Sequence, residues 1–441
     1  MNVIRTKWKE MMLFAIFFIG ILLNYPYTHY VEPDGFDMWS NNIMVSDMIY
    51  CEHYGLDTVF LQEITPVIEE EIFGYSSKEL QKELFESGTA IAKEHFITYH
   101  SNIVLQRYGY AFLNEILPVS GEVLLLILLV INVGLFAGMA AVIANWIRCE
   151  FGDFPAFATT ILLVVTCPAF AAAGHNLYWI PWSLYFSMAM MILLLNSKKY
   201  QEAPDTKKNI ALFICTIISC MIKQLMYFEL VSTIMVAITI PLIYEYFLNW
   251  KEWKRYLKSG IFVFIGAIFS FGVVNVLKFF MHIFEQGSIE KAIWVMKGLI
   301  YARLVGDTSS VDEVAAWAAR IPRGDVIKRM FEMPAIMFGE DVYLSQGQLT
   351  WIVFATSIAG LVIQFVKKKY CGRFNRRWFA LLGTTIISVL APLSWFFLAK
   401  VHTYIHKEYM SIAWFMPFAI LELVFVCYTI SELADCVKKR K

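Results

Sequence analysis

The chain has 441 residues, 58% of them hydrophobic and 17% charged. Soluble globular chains are nearer half apolar and a quarter charged, so this composition excludes a disordered protein and disfavours an ordinary soluble enzyme. Formal net charge is zero, from 37 Lys+Arg against 37 Asp+Glu, so nothing points to a nucleic-acid partner.

Long apolar runs recur along the chain, each near the ~20 residues a helix needs to cross ~30 Å of hydrocarbon. They lie at about 10–27, 122–146, 154–174, 178–195, 210–222, 225–247, 259–281, 349–366, 378–399 and 411–430. The pattern predicts an all-α polytopic membrane protein of about ten transmembrane helices, one integral-membrane domain over 1–441. Arg5, Lys7 and Lys9 precede the first run, and Asn24-Tyr25-Pro26-Tyr27 follows it with no small-x-small cleavage site. The run therefore reads as an uncleaved anchor. The fifth run is short and ends near Lys223-Gln224, which reads as a tight hairpin with the sixth.

Short basic loops set the orientation. Lys198, Lys199, Lys207 and Lys208 separate runs four and five, and Lys251, Lys254, Arg255 and Lys258 separate six and seven. Lys367, Lys368, Lys369, Arg373, Arg376 and Arg377 separate eight and nine, and the chain ends Lys438-Lys439-Arg440-Lys441. With ten spans all four clusters share the side of the N-terminus. Both termini are then expected in the cytoplasm of a multi-pass protein of the cytoplasmic membrane. Two large loops, about 28–121 and 282–348, face outward and carry short helical patterns such as Glu79-Leu80-Gln81-Lys82-Glu83-Leu84-Phe85-Glu86. The stretch Lys291–Arg303 is apolar with basic residues at both ends, as expected of an interfacial helix. Of the eight cysteines only Cys51 falls in an outward loop, which leaves no outward disulfide framework.

Nucleotide-loop, zinc-protease and serine-hydrolase motifs are absent, so any active site must be assembled from loops and span ends. Glu32-Pro33-Asp34-Gly35-Phe36-Asp37 places three carboxylates just past the outer end of the first run. Glu32, Asp34 and Asp37 suit a base that deprotonates a hydroxyl, or ligands for a hard divalent cation such as Mg or Mn. The alternative is a solvated acidic turn. All eight histidines, His100 among them, fall on the outward side in this topology. His402 and His406 stand at i,i+4 spacing, so on a helix both rings share one face and suit an anionic phosphate or a sugar. Lys223, Lys278, Lys400 and Arg107 lie at outward span ends, where a lipid phosphate sits. Arg303, Arg320 and Arg323 lie in the second loop. Snorkelling to ordinary headgroups is the bland reading of each. Glu229 and Glu422 fall within apolar runs and read as hydrogen-bonded bundle residues, and Tyr178-Trp179-Ile180-Pro181-Trp182 reads as an aromatic belt.

The layout resembles the GT-C superfamily of polytopic glycosyltransferases, of the small bacterial kind. Three stretches carry the likeness: EPDGFD at 32–37, NLYWIPWSLYFSM at 176–188 and KVHTYIHKEYMSIAWFMPF at 400–418. The carboxylates here are spaced ExDxxD rather than as a neighbouring pair, and the absence of a WWD-like motif speaks against an oligosaccharyltransferase subunit. The resemblance implies transfer of a sugar from a polyprenyl-phosphate donor to a cell-envelope glycan, lipid or protein acceptor, with inversion. It implies Asp34 or Asp37 as base, and Lys223, Arg107, His402 and His406 against the leaving phosphate. A lipid-linked glycan polymerase or ligase would lean instead on Arg303, Arg320 and Arg323. A transporter or flippase is the third reading, although no internal repeat is visible.

Overall fold

The computed structural model describes residues 2–23, 37–64, 78–306, 313–339, 342–372 and 374–438. Its helices are α1 (Asn2–Leu23), α2 (Met38–Tyr54), α3 (Lys78–Ser87), α4 (Gln106–Ile116), α5 (Gly121–Phe151), α6 (Asp153–Thr166), α7 (Pro168–Ala172), α8 (Trp182–Asn196), α9 (Lys198–Gln201), α10 (Asp205–Met226) and α11 (Val231–Ala237). They continue as α12 (Ile240–Leu248), α13 (Trp253–Gln286), α14 (Ile289–Leu304), α15 (Glu313–Arg320), α16 (Arg323–Glu332), α17 (Gln346–Cys371), α18 (Arg376–Ser388), α19 (Leu390–Leu398), α20 (Lys400–Ile405), α21 (Lys407–Met410) and α22 (Phe418–Lys438). Four short strands, β1 (Leu61–Ile64), β2 (Phe96–Tyr99), β3 (Pro334–Met337) and β4 (Tyr343–Ser345), make two antiparallel pairs.

The chain is mostly helical, and the described residues do not confirm the expected count of ten spans. Among the described residues six helices are long and apolar enough to cross a membrane: Gly121–Phe151, Asp205–Met226, Val231–Leu248, Trp250–Gln286, Gln346–Lys369 and Arg376–Leu398. Two bent pairs raise the number to eight, Asp153–Thr166 with Pro168–His175 at 79° and Lys407–Phe415 with Phe418–Val437 at 47°. Pro168 and Pro417 stand at these bends, where a missing N–H and a blocked carbonyl stop a straight helix. Of the two runs left over, α1 carries Lys7, Lys9 and Glu10 within its length, and α8 has only 15 residues. The fifth run is not short: α10 extends it to 22 residues from Asp205.

The bundle packs α1 and α8 on α5, α8 on α10 and α10 on α13, while α22 meets α6, α17 and α18. One large apolar core joins these helices, from Phe17 and Phe136 through Tyr185 and Leu212 to Trp414 and Phe425. Phe264, Phe269, Trp351, Phe354, Val362 and Phe365 on α13 and α17 are exposed, as lipid-facing side chains are. The stretch read as an aromatic belt is instead internal: Tyr178 and Trp179 are each 2% exposed, and α8 starts only at Trp182.

The described residues of the two large loops are structured. In the first, β1 pairs with β2 in the register Leu61↔Tyr99 to Ile64↔Phe96, against α2. A buried ion pair ties it together. Arg107 on α4 donates from Nε and Nη2 to both oxygens of Asp47 on α2, at 3.0 and 2.9 Å. Its Nη1 donates to the carbonyls of Thr58 and Phe60, at 3.0 and 2.9 Å. Asp47 also accepts from the Gln62 N–H at 2.9 Å. One guanidinium thus fixes α2, α4 and the entry to β1.

Removing one partner of a buried pair leaves an uncompensated charge, which costs roughly 3–5 kcal/mol. Arg107→Met is therefore expected to lower the thermal midpoint of the purified protein sharply. Asp47→Leu combined with Arg107→Met should recover part of the loss. A single variant that melts like wild type would refute this role for the pair.

Candidate functional site

Asp37 caps the N-terminus of α2 from a left-handed conformation, with φ 46°. Aspartate tolerates that region better than most residues, and a strained backbone in a buried site is a pointer to function. Its carboxylate accepts from the Ser40 N–H at 3.2 Å and from the Trp179 indole N–H at 2.6 Å. Asn176 holds its backbone carbonyl through Nδ2 at 2.9 Å. Asp37 is 5% exposed, so it is not a solvated acidic turn. Burial raises its carboxyl above the usual 3.8, and the Ser40 and Trp179 donors pull it back only in part. Glu32 and Asp34 lie outside the described residues.

His406 acts electrostatically on Asp37 and begins the second element of the site. It caps α20, and its ring lies 4.7 Å from that of His402, the shared face that i,i+4 spacing predicts. Burial lowers both imidazoles below 6.5, so both are neutral near pH 7. The Nε2 of His402 stands 3.9 Å from a carboxylate oxygen of Glu229.

Glu229 is the centre of the arrangement. It lies not within a span but in the four-residue break between α10 and α11. Its Oε1 accepts from Arg303 Nη2 and its Oε2 from Asn102 Nδ2, both at 2.9 Å. Burial alone would push this carboxyl up, but the Arg303 guanidinium brings it down to about 2. Arg303 arrives from the end of α14, where Gly306 takes φ 75°. A Cβ at Gly306 would meet Ala319 and Val401 at 2.8 and 2.9 Å, so glycine lets α14 end against α15 and α20.

Beside Arg303 lies a cavity of about 310 Å³ with apolar walls that include Phe228, Met235, Phe271 and Leu398. Its few polar lining groups are mostly donors. Lys278 lines it and donates to the Ser101 carbonyl. Arg303 and Trp395 line it, and the Arg303 Nε–H and the Trp395 indole N–H are buried and find no partner in the protein. Burying an unpaired N–H is costly, so two at one cavity wall mark a place for an acceptor. The apolar wall on α14 follows one helical face, Met296, Leu299, Ile300 and Arg303, a stripe readable in the sequence as i, i+3, i+4, i+7.

The other expected site residues are engaged elsewhere. Lys223 is fully buried under the site, with Nζ donating to the Tyr227 carbonyl at 2.9 Å and to the Glu229 carbonyl. Arg107 spends its donors on Asp47, Thr58 and Phe60. His100 stands edge-on to Phe60 at 5.5 Å and 5.9 Å from His282, and it does not line the cavity. Arg320 and Arg323 are exposed on the second outer part. Among the described residues no three His, Cys, Asp or Glu side chains gather as metal ligands.

No protein-family model matches the chain, and no curated protein matches it. Among solved structures, the apo oligosaccharyltransferase of Archaeoglobus fulgidus is similar at 12% identity and a TM-score of 0.43. The match covers 97% of this chain and 51% of that one, so the chain spans about half its length. An overlap this loose assigns neither a fold family nor an activity.

The lowered Glu229 carboxyl has a signed consequence for stability. A carboxyl held at about 2 instead of 4.5 contributes stability that is present above pH 4.5 and lost as pH falls toward 2. The gap in melting temperature between wild type and Glu229→Gln should therefore narrow across that interval. A gap that stays constant would show that Glu229 is not held ionised by Arg303.

Proposed function

We propose that this protein is a membrane glycosyltransferase that moves a sugar from a polyprenyl-phosphate donor to a cell-envelope glycan, lipid or protein acceptor on the outer face of the cytoplasmic membrane. One observation carries the reading: a buried acid–imidazole group, Asp37 with His406 and His402, is joined through Glu229 and Arg303 to an apolar cavity with unpaired N–H donors at its wall. A lipid tail suits the apolar wall, and a phosphate suits Lys278, Arg303 and Trp395. The basic short loops support an outward position for the site.

In this reading the acceptor hydroxyl attacks the anomeric carbon opposite the lipid phosphate, so the new glycosidic bond forms with inversion as the phosphate leaves. Asp37 takes the hydroxyl proton. Arg303 and Lys278 hold the negative charge that develops on the phosphate, in place of Arg107 and Lys223, whose donors are already used. His406, which burial keeps neutral, is suited to receive the proton onward. Each Asp37 oxygen accepts one N–H and keeps a further lone pair for the acceptor hydroxyl or for a divalent cation. The polymerase or ligase reading leans on Arg303, Arg320 and Arg323; Arg303 is at the site, whereas Arg320 and Arg323 are exposed and do not line the cavity.

Asp37→Asn should lower transfer from a polyprenyl-phosphate sugar by roughly 10²-fold or more while leaving donor binding intact. Because burial raises the Asp37 carboxyl, the base form is lost at higher pH than for an ordinary aspartate. The acid limb of the wild-type rate profile should therefore lie above pH 3.8. Turnover by Asp37→Asn at the wild-type rate, or no donor consumption by wild type with any envelope acceptor, would sink the assignment.

A further inference from the structure

The break at 227–230 is built with unusual care for four residues. Leu230 takes φ 61°, a left-handed conformation that an L-residue with a branched side chain rarely adopts. Asn102 grips the break twice: its Oδ1 accepts from the Phe228 N–H and its Nδ2 donates to Glu229 Oε2, each at 2.9 Å. Lys223 grips it from beneath through the Tyr227 and Glu229 carbonyls. Its Nζ also stands 4.0 Å from the centre of the Tyr227 ring. These contacts leave the Glu229 carboxylate one direction to point, toward Arg303.

Arg303 is held on both sides. Nη2 donates to Glu229 Oε1 at 2.9 Å and Nη1 to the Leu299 carbonyl at 3.1 Å. With the two outer nitrogens anchored, Nε is the guanidinium nitrogen without a partner, on a residue that lines the cavity. A planar guanidinium fixed at two corners has its third donor aimed in advance, which is the preorganisation that binding a charged headgroup requires.

Resting on the glycosyl-transfer reading, we infer that Glu229 is a positioning residue. It touches neither donor nor acceptor, and it sets donor-phosphate affinity by orienting Arg303, with Lys223 and Asn102 building the turn that presents it. Lys223, which lies at the most suggestive place in the sequence for a phosphate ligand, acts two steps removed from the phosphate.

The test measures binding of a long-chain polyprenyl monophosphate, and of the matching polyprenol, to full-length protein in micelles containing excess phosphatidylglycerol. Wild type, Glu229→Gln, Arg303→Met and the double variant are compared, with thermal melts on each. Losing an oriented charge-assisted donor is worth roughly tenfold in affinity or more. Glu229→Gln is expected to weaken phosphate binding by about that factor and leave polyprenol binding unchanged. The double variant is expected to match Arg303→Met alone, because Glu229 acts only through Arg303. Glu229→Asp keeps the charge but shortens the reach, and should lower phosphate affinity in the same way if Glu229→Gln does not fold.

Equal loss of phosphate and polyprenol binding would mean that Glu229 only maintains the cavity, and would overturn the inference. So would losses that multiply in the double variant, or wild-type affinity in folded Glu229→Gln and Glu229→Asp. If wild type itself binds the phosphate no better than the polyprenol, the donor reading falls, and the inference with it.

Discussion

A helix that stops at the membrane surface exposes carbonyls that water does not reliably satisfy, and here the donors that satisfy them are buried side chains. Lys223 takes the carbonyls of Tyr227 and Glu229, and Asn102 takes the Phe228 N–H on its Oδ1. The requirement that buried backbone groups be paired explains why a fully buried lysine and asparagine lie at this point. Everything at the site hangs on that turn. It aims Glu229, Glu229 holds Arg303, and Arg303 ends the helix that walls the cavity.

A second constraint places Asp37. The Asp47–Arg107 pair locks α2 to α4 and to the start of β1, so the N-terminus of α2 has a fixed position. Asn41 then accepts from the Leu177 N–H, and Trp179 donates to Asp37, which docks that N-terminus on the irregular segment before α8. The aromatic stretch at 178–182 therefore works as internal scaffolding. Tyr178, Trp179 and Tyr227 pack on one another, with Trp179 and Tyr227 at 5.3 Å, so these ring faces contact protein and not lipid. The segment around α2 is in this way held rigid enough to fix the position of one buried carboxylate, Asp37.

Much of the site was legible residue by residue. The i,i+4 spacing of His402 and His406 predicted neighbouring rings, and they are neighbours, because helical geometry is local. Asp37 was legible as one of three carboxylates. Its separation from a solvated turn was not, because burial comes from Trp179, distant in sequence. Arg107 and Lys223 look alike in the sequence as cations at outward span ends, yet both are consumed by internal partners. The partners that consume them, Asp47 and the 227–230 carbonyls, carry no motif. Glu229 stood out as a carboxylate in an apolar run, and nothing in the run shows that the helix breaks around it.

The sequence by itself marked helices apolar enough to span a membrane and predicted two outward loops, because hydropathy and loop charge are sums over contiguous residues and need no fold to evaluate. The described residues confirm six to eight of its ten spans. Apolar length alone does not reveal that Pro168 and Pro417 bend two of them or that α8 is only 15 residues long. What only the tertiary structure decided is which charges are spent and which remain available. Ion pairing and burial are relations between residues far apart in the chain, such as Glu229 with Arg303 and Asn102, and only folding brings them within hydrogen-bonding distance.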